Sequence, residues 1–168
     1  MTDKKLKSHR VKIDKIDKEI YALIQKRASH AVAIGKIKSK VSPKESFYKP
    51  DRETKILRNI LNANKKGLLP DSKIRAIYKE LISGCLSLEE ILKVAYLGPE
   101  ATHSEAAVHN QFGSQALRIP TSTIDDVFYQ VINDDVDLGV VPVENSSEGV
   151  INTTLNCLAD SKDINIIG

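Results

Sequence analysis

Two basic residues lie on the apolar side of a predicted helix. Apolar residues recur at steps of three and four from about Leu6 to Val41, and no proline interrupts them. This period is typical of one long amphipathic helix. At roughly 100° per residue, Arg27 and Lys38 fall within about 20° of each other, along the midline of the apolar stripe. Because an isolated buried charge is costly, both cations require partners on neighbouring elements.

Two further predicted helices also direct ionisable groups inward. In the helix predicted from about residue 51 to residue 66, Glu53 shares the direction of the apolar residues and Arg52 lies at their edge. In the helix predicted from about residue 72 to residue 92, Cys85 and Glu89 lie inside the apolar arc. Buried salt bridges are one interpretation of this set. We favour a polar cavity within a helical bundle, which is a common place for ligand sites.

The types of these residues indicate which ligand such a cavity would bind. An excess of fixed cations suits a small molecule with more than one carboxylate, because arginine presents a planar fork to each carboxylate. The three helices carry no Ser-His-Asp or Cys-His arrangement and no metal-ligand cluster. Catalysis would therefore depend on positioning and fixed charge, and we expect neither a cofactor nor a metal ion.

The charge of the chain changes abruptly near Lys93. Residues 1–93 carry 23 Lys and Arg against 11 Asp and Glu, whereas residues 94–168 carry 2 against 11. The shift predicts two domains, 1–93 and 94–168. The two cysteines are far apart, no apolar run reaches the roughly 18 residues of a membrane span, and the first residues lack a secretory signal. We therefore expect a cytoplasmic protein with reduced thiols and no membrane contact.

The second domain alternates short apolar runs with helical patterns. The sequence predicts strands at "VAYL", "LRIP", "LGVVPV" and "INIIG", and helices at "THSEAAVHNQF", "STIDDVFYQVIND" and "VINTTLNCLAD". Thr102 or Ser104 would cap the first of these helices, and Ser122 and Asp125 would form a capping box on the second. The alternation predicts an α/β domain with a parallel sheet, and a final strand with no helix after it suggests an incomplete domain.

The first domain would be all-α, with three helices. Its first helix is too long for the other two to cover, so we expect a second copy of the chain to complete the bundle. Arg10 falls roughly 100° from Arg27 on the first helix. It therefore belongs to a different face and could serve another site.

The segments "HRVKIDKIDKEIYALIQKRASHAVAIGKIK", "YKPDRE" and "ELISGCLSLEE" resemble the all-helical chorismate mutase family. The segments "VAYLGPEATHSEAA" and "GVVPVENSSEGVINTTLNCL" are similar to the first part of a prephenate dehydratase domain, a lobe like those of periplasmic binding proteins. Together they resemble the bifunctional enzymes of phenylalanine biosynthesis. The resemblance implies a helix-exchanged homodimer whose small-molecule substrates are chorismate and prephenate.

The resemblance also implies roles for individual residues. Arg27 would bind one substrate carboxylate, Lys38 would stabilise charge on the breaking ether oxygen, and Glu53 would accept a hydrogen bond from the substrate hydroxyl. Glu89 stands where many members have Gln, so it would need a proton to donate to the same oxygen. The remaining candidates are Arg10, from the partner protomer, Arg52, and Lys49 and Cys85, which depart from one common form of the pattern.

In the second domain the resemblance implies five residues at the sheet edge: Thr102, Ser104, Glu144, Asn145 and Ser146. Ala101 and His103 replace the usual Gly and aromatic residue of the family's motif. A later Thr-Arg-Phe motif, on which the dehydratase depends, is absent from these 168 residues. We therefore expect mutase activity without dehydratase activity.

Two other function classes remain open from the sequence. The basic first helix would suit a module that binds nucleic acid or another protein, but Arg27 and Lys38 point inward, and we expect no nucleic-acid partner. A non-catalytic sensor of small anions would bind a ligand without converting it.

Overall fold

The N-terminal half of the protein consists of three helices. The structure, a computed structural model, describes residues 2–41, 47–145, 149–162 and 164–167. Helix α1 is Thr2–Val41, α2 is Pro50–Ala63 and α3 is Asp71–Leu86. At 1.5 Å per residue, α1 is about 60 Å long. α3 packs against α1, and α2 packs against α3. The three predicted helices are confirmed, including the uninterrupted first one.

The predicted end of α2 was wrong. The helix ends at Ala63 rather than near Lys66, because the Asn64 side chain bonds to residues of the following turn. Its amide nitrogen donates to the Leu69 carbonyl at 2.9 Å and to the Asp71 carboxylate at 2.7 Å. Asn64 thereby closes the turn into α3. Asp71 is the first residue of α3, and Pro70 is the N-cap residue, so no side chain caps this helix.

The predicted end of α3 was also wrong, by six residues. After Leu86 the backbone tightens, and Leu88 and Glu89 donate to carbonyls only three residues back. The Ser87 hydroxyl also donates a hydrogen bond to the Gly84 carbonyl at 3.0 Å. Glu89 therefore lies in a turn beyond the helix, not on its apolar arc.

The C-terminal half contains the predicted parallel sheet. Strands β1 (Lys93–Leu97), β2 (Leu117–Thr121) and β3 (Leu138–Val140) lie in the order β2-β1-β3, and both pairings are parallel. Helices α4 (His103–Phe112) and α5 (Ile124–Ile132) pack on this sheet, and α6 (Asn152–Asp160) packs on α5. Glu144–Asn145 and Gly149–Val150 form the short antiparallel strands β4 and β5.

Alternation along β1 builds a core on each face of the sheet. Val94 and Tyr96 pack with Val108 of α4 on one face. Ala95 packs with Val127 of α5 on the other. β1 is therefore the buried centre of this half of the molecule.

Three further details of this half differ from prediction. The capping box joins Thr123 to Asp126, one residue later than predicted, which turns Val127 and Phe128 of α5 toward the interior. The apolar residues 164–167 form no strand, because no described strand pairs with them. β3 is also shorter than the predicted "LGVVPV" run.

The apolar stripe of α1 is largely uncovered in a single protomer. Ile13, Ile16 and Ile20 are 55%, 52% and 48% exposed, although their spacing is that of a buried face. None of the described helices combines the length and apolar character needed to cross a membrane.

Candidate active site

Lys38 and Glu89 form an ion pair between α1 and the turn after α3. The Lys38 Nζ lies 3.0 Å from Glu89 Oε2, and the two side chains are 30% and 10% exposed. The same ammonium donates to the Phe47 carbonyl at 3.0 Å and lies 5.3 Å from the centre of the Phe47 ring. The pair is therefore partly desolvated, which strengthens the attraction between its two charges. The same burial would strengthen the attraction between Lys38 and a ligand group that replaced Glu89.

A glycine on α1 permits the close approach behind this ion pair. A Cβ atom on Gly35 would lie 3.1 Å from the Cα atom of Glu89. Such a contact is tighter than packed side chains usually allow, so a larger residue would push the turn away from α1. Gly35 thus brings the Glu89 carboxylate within reach of Lys38.

Arg27 contacts α3 itself, at a position before the turn that holds Glu89. The Arg27 Nη1 donates to the Leu81 carbonyl at 3.1 Å, and the residue is half-buried. Eleven residues separate it from Lys38, about 16 Å along the helix axis. Both cations therefore lie on the face of α1 that meets α3. The contact between Lys38 and Glu89 is a salt bridge, the interpretation that the sequence analysis placed second to a polar cavity. Cys85, on α3, is buried as a free thiol.

Glu53 lies in a different place from the Lys38–Glu89 pair. It borders a cleft of about 520 Å³ with Lys79 and Tyr48, between α2, α3 and the end of α4. Burial raises the pKa of Glu53, and the Lys79 ammonium partly opposes that shift. Within the described residues no hydrogen bond or ion pair joins Glu53 to Lys38 or Arg27.

The other mutase candidates are exposed. Arg52 lies on the outer side of α2, and Lys49 precedes that helix, where its carbonyl accepts from the Arg52 and Glu53 amides. Arg10 is exposed on α1, about 26 Å from Arg27 along the axis at 1.5 Å per residue. A single protomer thus brings Lys38 and Arg27 of α1 into contact with α3 and the turn after it, where Glu89 lies, and leaves Arg10 apart from them.

Candidates of the second half follow strands β1 and β3. Because these strands are parallel neighbours, their carboxyl ends lie at one edge of the sheet. The Thr102 hydroxyl caps α4 by accepting from the Glu105 amide at 3.5 Å, and Ser104 is half-buried in the first turn. Glu144 and Asn145 are exposed on β4, and Ser146 lies outside the described residues.

Family models match both halves of the chain. Residues 9–90 match chorismate mutase type II, and residues 94–168 match prephenate dehydratase. A bifunctional chorismate mutase/prephenate dehydratase of Aquifex aeolicus (strain VF5) is 47% identical over 166 residues, which are 97% of this chain and 45% of the relative. A protein with the same description from Stutzerimonas stutzeri is 43% identical over 166 residues, with the same coverage.

The chain belongs to the bifunctional chorismate mutase/prephenate dehydratase family. It spans less than half the length of these two curated relatives. The second half alone is also similar to a prephenate dehydratase of Bacillus subtilis (strain 168), at 35% identity over 77 residues, which are 46% of this chain and 27% of the relative.

Sequence reasoning missed two residues near the sites of this family member. Phe47 supplies a carbonyl to Lys38, and a backbone contact of this kind leaves no signal in residue type or spacing. Lys79 of α3 is half-buried, and burial lowers its pKa while Glu53 raises it. A lysine is ordinarily assigned to the solvent face of a helix, so periodicity could not have indicated its burial.

Proposed function

We propose that residues 1–93 form a chorismate mutase domain, and that residues 94–168 are part of a prephenate dehydratase domain. The observation that carries the proposal is the inward Lys38 ammonium, 3.0 Å from the Glu89 carboxylate and on the same stripe as Arg27. A face that holds two cations beside a nearly buried acid suits a ligand with two carboxylates and an ether oxygen.

The reaction requires no nucleophile. Chorismate rearranges within one molecule, so that its ether C–O bond breaks as a new C–C bond forms. The protein accelerates such a step by holding the reactive conformation and by stabilising negative charge on the ether oxygen. Lys38 serves that oxygen, Arg27 binds a carboxylate, and protonated Glu89 donates a second hydrogen bond.

Substrate binding must rearrange the Lys38–Glu89 pair. In this structure the Lys38 ammonium is bound by the Glu89 carboxylate and by the Phe47 carbonyl. The ether oxygen replaces Glu89 as one acceptor, and uptake of a proton turns that carboxylate into a donor. In the proposed complex, helix α2 moves closer, so that Glu53 and Arg52 contact the substrate. Lys49 and Cys85 lie at the edge of the site.

A homodimer completes the proposed site. The exposed apolar stripe of α1 supports association with a second α1, and Arg10 of that copy reaches the second substrate carboxylate. Both cysteines are free thiols, which supports a cytoplasmic location. Thr102, Ser104, Glu144, Asn145 and Ser146 are the proposed prephenate-binding residues of the second half.

The test is the disappearance of chorismate with purified wild-type chain. We expect Lys38→Ala to lower kcat/KM by at least about 100-fold, the usual effect of losing one group that stabilises a developing anion. Lys36→Ala is the matched control, since Lys36 is an exposed lysine on the same helix. Equal turnover by Lys38→Ala and wild type would contradict the proposal. Salt-sensitive DNA binding without turnover would support an interaction module instead.

A further inference from the structure

Helix α3 contacts the second half of the chain as well as α1. We define the α4–β2 corner as residues 112–115. The Glu80 Oε2 accepts hydrogen bonds from the Ser114 hydroxyl at 2.6 Å and from the Ser114 amide at 3.3 Å. The Gln115 amide donates to the Ser83 hydroxyl at 3.3 Å. Two consecutive residues of the corner are therefore bound to one turn of α3.

The corner fits α3 closely at its glycine. Gly113 has a φ of +79°, a left-handed conformation that disfavours other residues. A Cβ atom there would also lie 2.5 Å from the Ser83 Cβ atom, closer than packed atoms approach. The sequence thus has glycine where both the backbone conformation and the neighbouring helix require it.

Lys79 adds a charged contact beside the corner. Its ammonium donates to the carbonyls of Asn110 and Gln111 at 2.6 and 3.1 Å, in the last turn of α4. The carboxyl end of a helix carries partial negative charge, so a lysine there is favourable. Contacts from three residues of α3, Lys79, Glu80 and Ser83, therefore hold the end of α4.

These contacts adjoin the backbone groups that bind the two catalytic cations. The Leu81 carbonyl, which accepts from Arg27, lies between Glu80 and Ser83 in the chain. The Phe47 carbonyl, which accepts from Lys38, precedes Tyr48, whose buried ring packs edge-on against Phe112 with the ring centres 5.5 Å apart. Movement of the corner would thus shift both acceptors.

We propose that the α4–β2 corner positions the chorismate mutase site, with Glu80 and Ser114 as its positioning residues. The inference depends on the mutase function proposed above. Neither residue touches the substrate: they fix α3, which fixes the Leu81 carbonyl and hence the Arg27 guanidinium. Since small displacements of binding groups impair catalysis strongly, loosening this contact lowers mutase efficiency without removing any group from the site.

The experiment compares Glu80→Ala, Ser114→Ala and the double variant in the full chain. We expect each single variant to lower kcat/KM for chorismate by about 5-fold or more, mostly through a higher KM. The double variant should be no worse than Glu80→Ala alone, because Glu80→Ala already removes both hydrogen bonds from Ser114. Ser114→Thr keeps the hydroxyl and should restore wild-type kinetics. The melting temperature is measured for every variant.

Glu90→Ala is the matched control, because Glu90 is an exposed glutamate in the turn that follows α3. The proposal would be overturned if Glu80→Ala and Ser114→Ala kept kcat and KM within twofold of this control, even with a lower melting temperature. Additive losses in the double variant would also overturn it. If the wild-type chain converted no chorismate, that result would contradict the mutase function itself. It would thereby be distinguished from a failure of the corner's positioning role, which leaves wild-type turnover intact.

Discussion

At the scale of single residues, the Lys38–Glu89 pair determines what the proposed site can do. Glu89 is the less exposed partner, and Gly35 lets it approach α1 closely. An ionised Glu89 is an acceptor only, whereas the proposed chemistry needs a donor to the ether oxygen. The protonation of one side chain should therefore govern the rate.

We expect wild-type mutase activity to fall as pH rises, and Glu89→Gln to remove that fall. Glutamine donates through its amide at every pH, so it keeps the hydrogen bond that the neutral acid makes. The measurement is kcat/KM for chorismate between about pH 4 and pH 9, with Glu90→Gln as control. Parallel profiles for wild type and Glu89→Gln would refute the assigned role.

Ala101 adopts a backbone conformation that explains the glycine usual at this position in the family. Its φ is +62°, in the left-handed region that costs a residue with a Cβ atom about 1–2 kcal/mol. Ala101→Gly should therefore raise the free energy of unfolding by up to about 1 kcal/mol, after the greater chain entropy of glycine is subtracted. Urea denaturation measures the change.

Ala107→Gly is the control for Ala101→Gly. Ala107 is exposed within α4, where glycine costs about 0.5–1 kcal/mol. The two substitutions should thus act in opposite directions. A similar loss of stability in both would show that position 101 carries no strain.

At the scale of elements, α1 is the helix that a single chain leaves incomplete. Isoleucines at helical spacing stay about half exposed along its first half, while its second half meets α3. Exposed apolar stripes of this length are typical of surfaces that associate. The proposed dimer and the proposed role of Arg10 both depend on this one feature.

Ile16→Glu should dissociate the proposed dimer and abolish most mutase activity. A carboxylate on the stripe would be buried without a partner on association, at a cost of several kcal/mol. Sedimentation velocity gives the oligomeric state, and chorismate turnover is measured on the same sample. Lys18→Glu is the control, since Lys18 lies roughly 200° from Ile16 on the helix. A dimeric, active Ile16→Glu variant would contradict the helix-exchanged arrangement.

At the scale of the whole molecule, the two halves meet along α3. Helix α3 carries the carbonyl that binds Arg27, and it also binds the α4–β2 corner. The basic and acidic halves are therefore connected by packed secondary structure as well as by the chain. This arrangement permits the second half to influence the first without being catalytic itself.

We expect the 168-residue chain to form prephenate from chorismate but not phenylpyruvate from prephenate. The sheet edge carries Thr102 and the residues after β3, but the Thr-Arg-Phe motif is not among these residues. Loss of water and carbon dioxide needs groups that both bind and protonate the substrate. Incubation with prephenate and detection of phenylpyruvate tests this, and the mutase assay on the same sample is the control. Phenylpyruvate formed above the uncatalysed rate would contradict the expectation.

The sequence by itself determined the element types and the inward face of α1. Periodicity is a local property, so the three helices, the parallel sheet and the direction of Arg27 and Lys38 could be predicted from spacing alone. The same local reasoning misjudged where α2 and α3 end. Both ends depend on side chains, Asn64 and Ser87, that bond to the backbone instead of continuing the helix.

Only the tertiary structure decided which inward charges meet. Glu53 and Glu89 occupy equivalent positions on their predicted wheels, yet Glu89 binds Lys38 and Glu53 lies beside Lys79. The sequence did not predict the α4–β2 corner either, because a glycine, two serines and a glutamate form one contact only when distant segments pack together. Spacing fixes the direction of a side chain from its own helix, whereas its partner is fixed by how the helices are placed against each other.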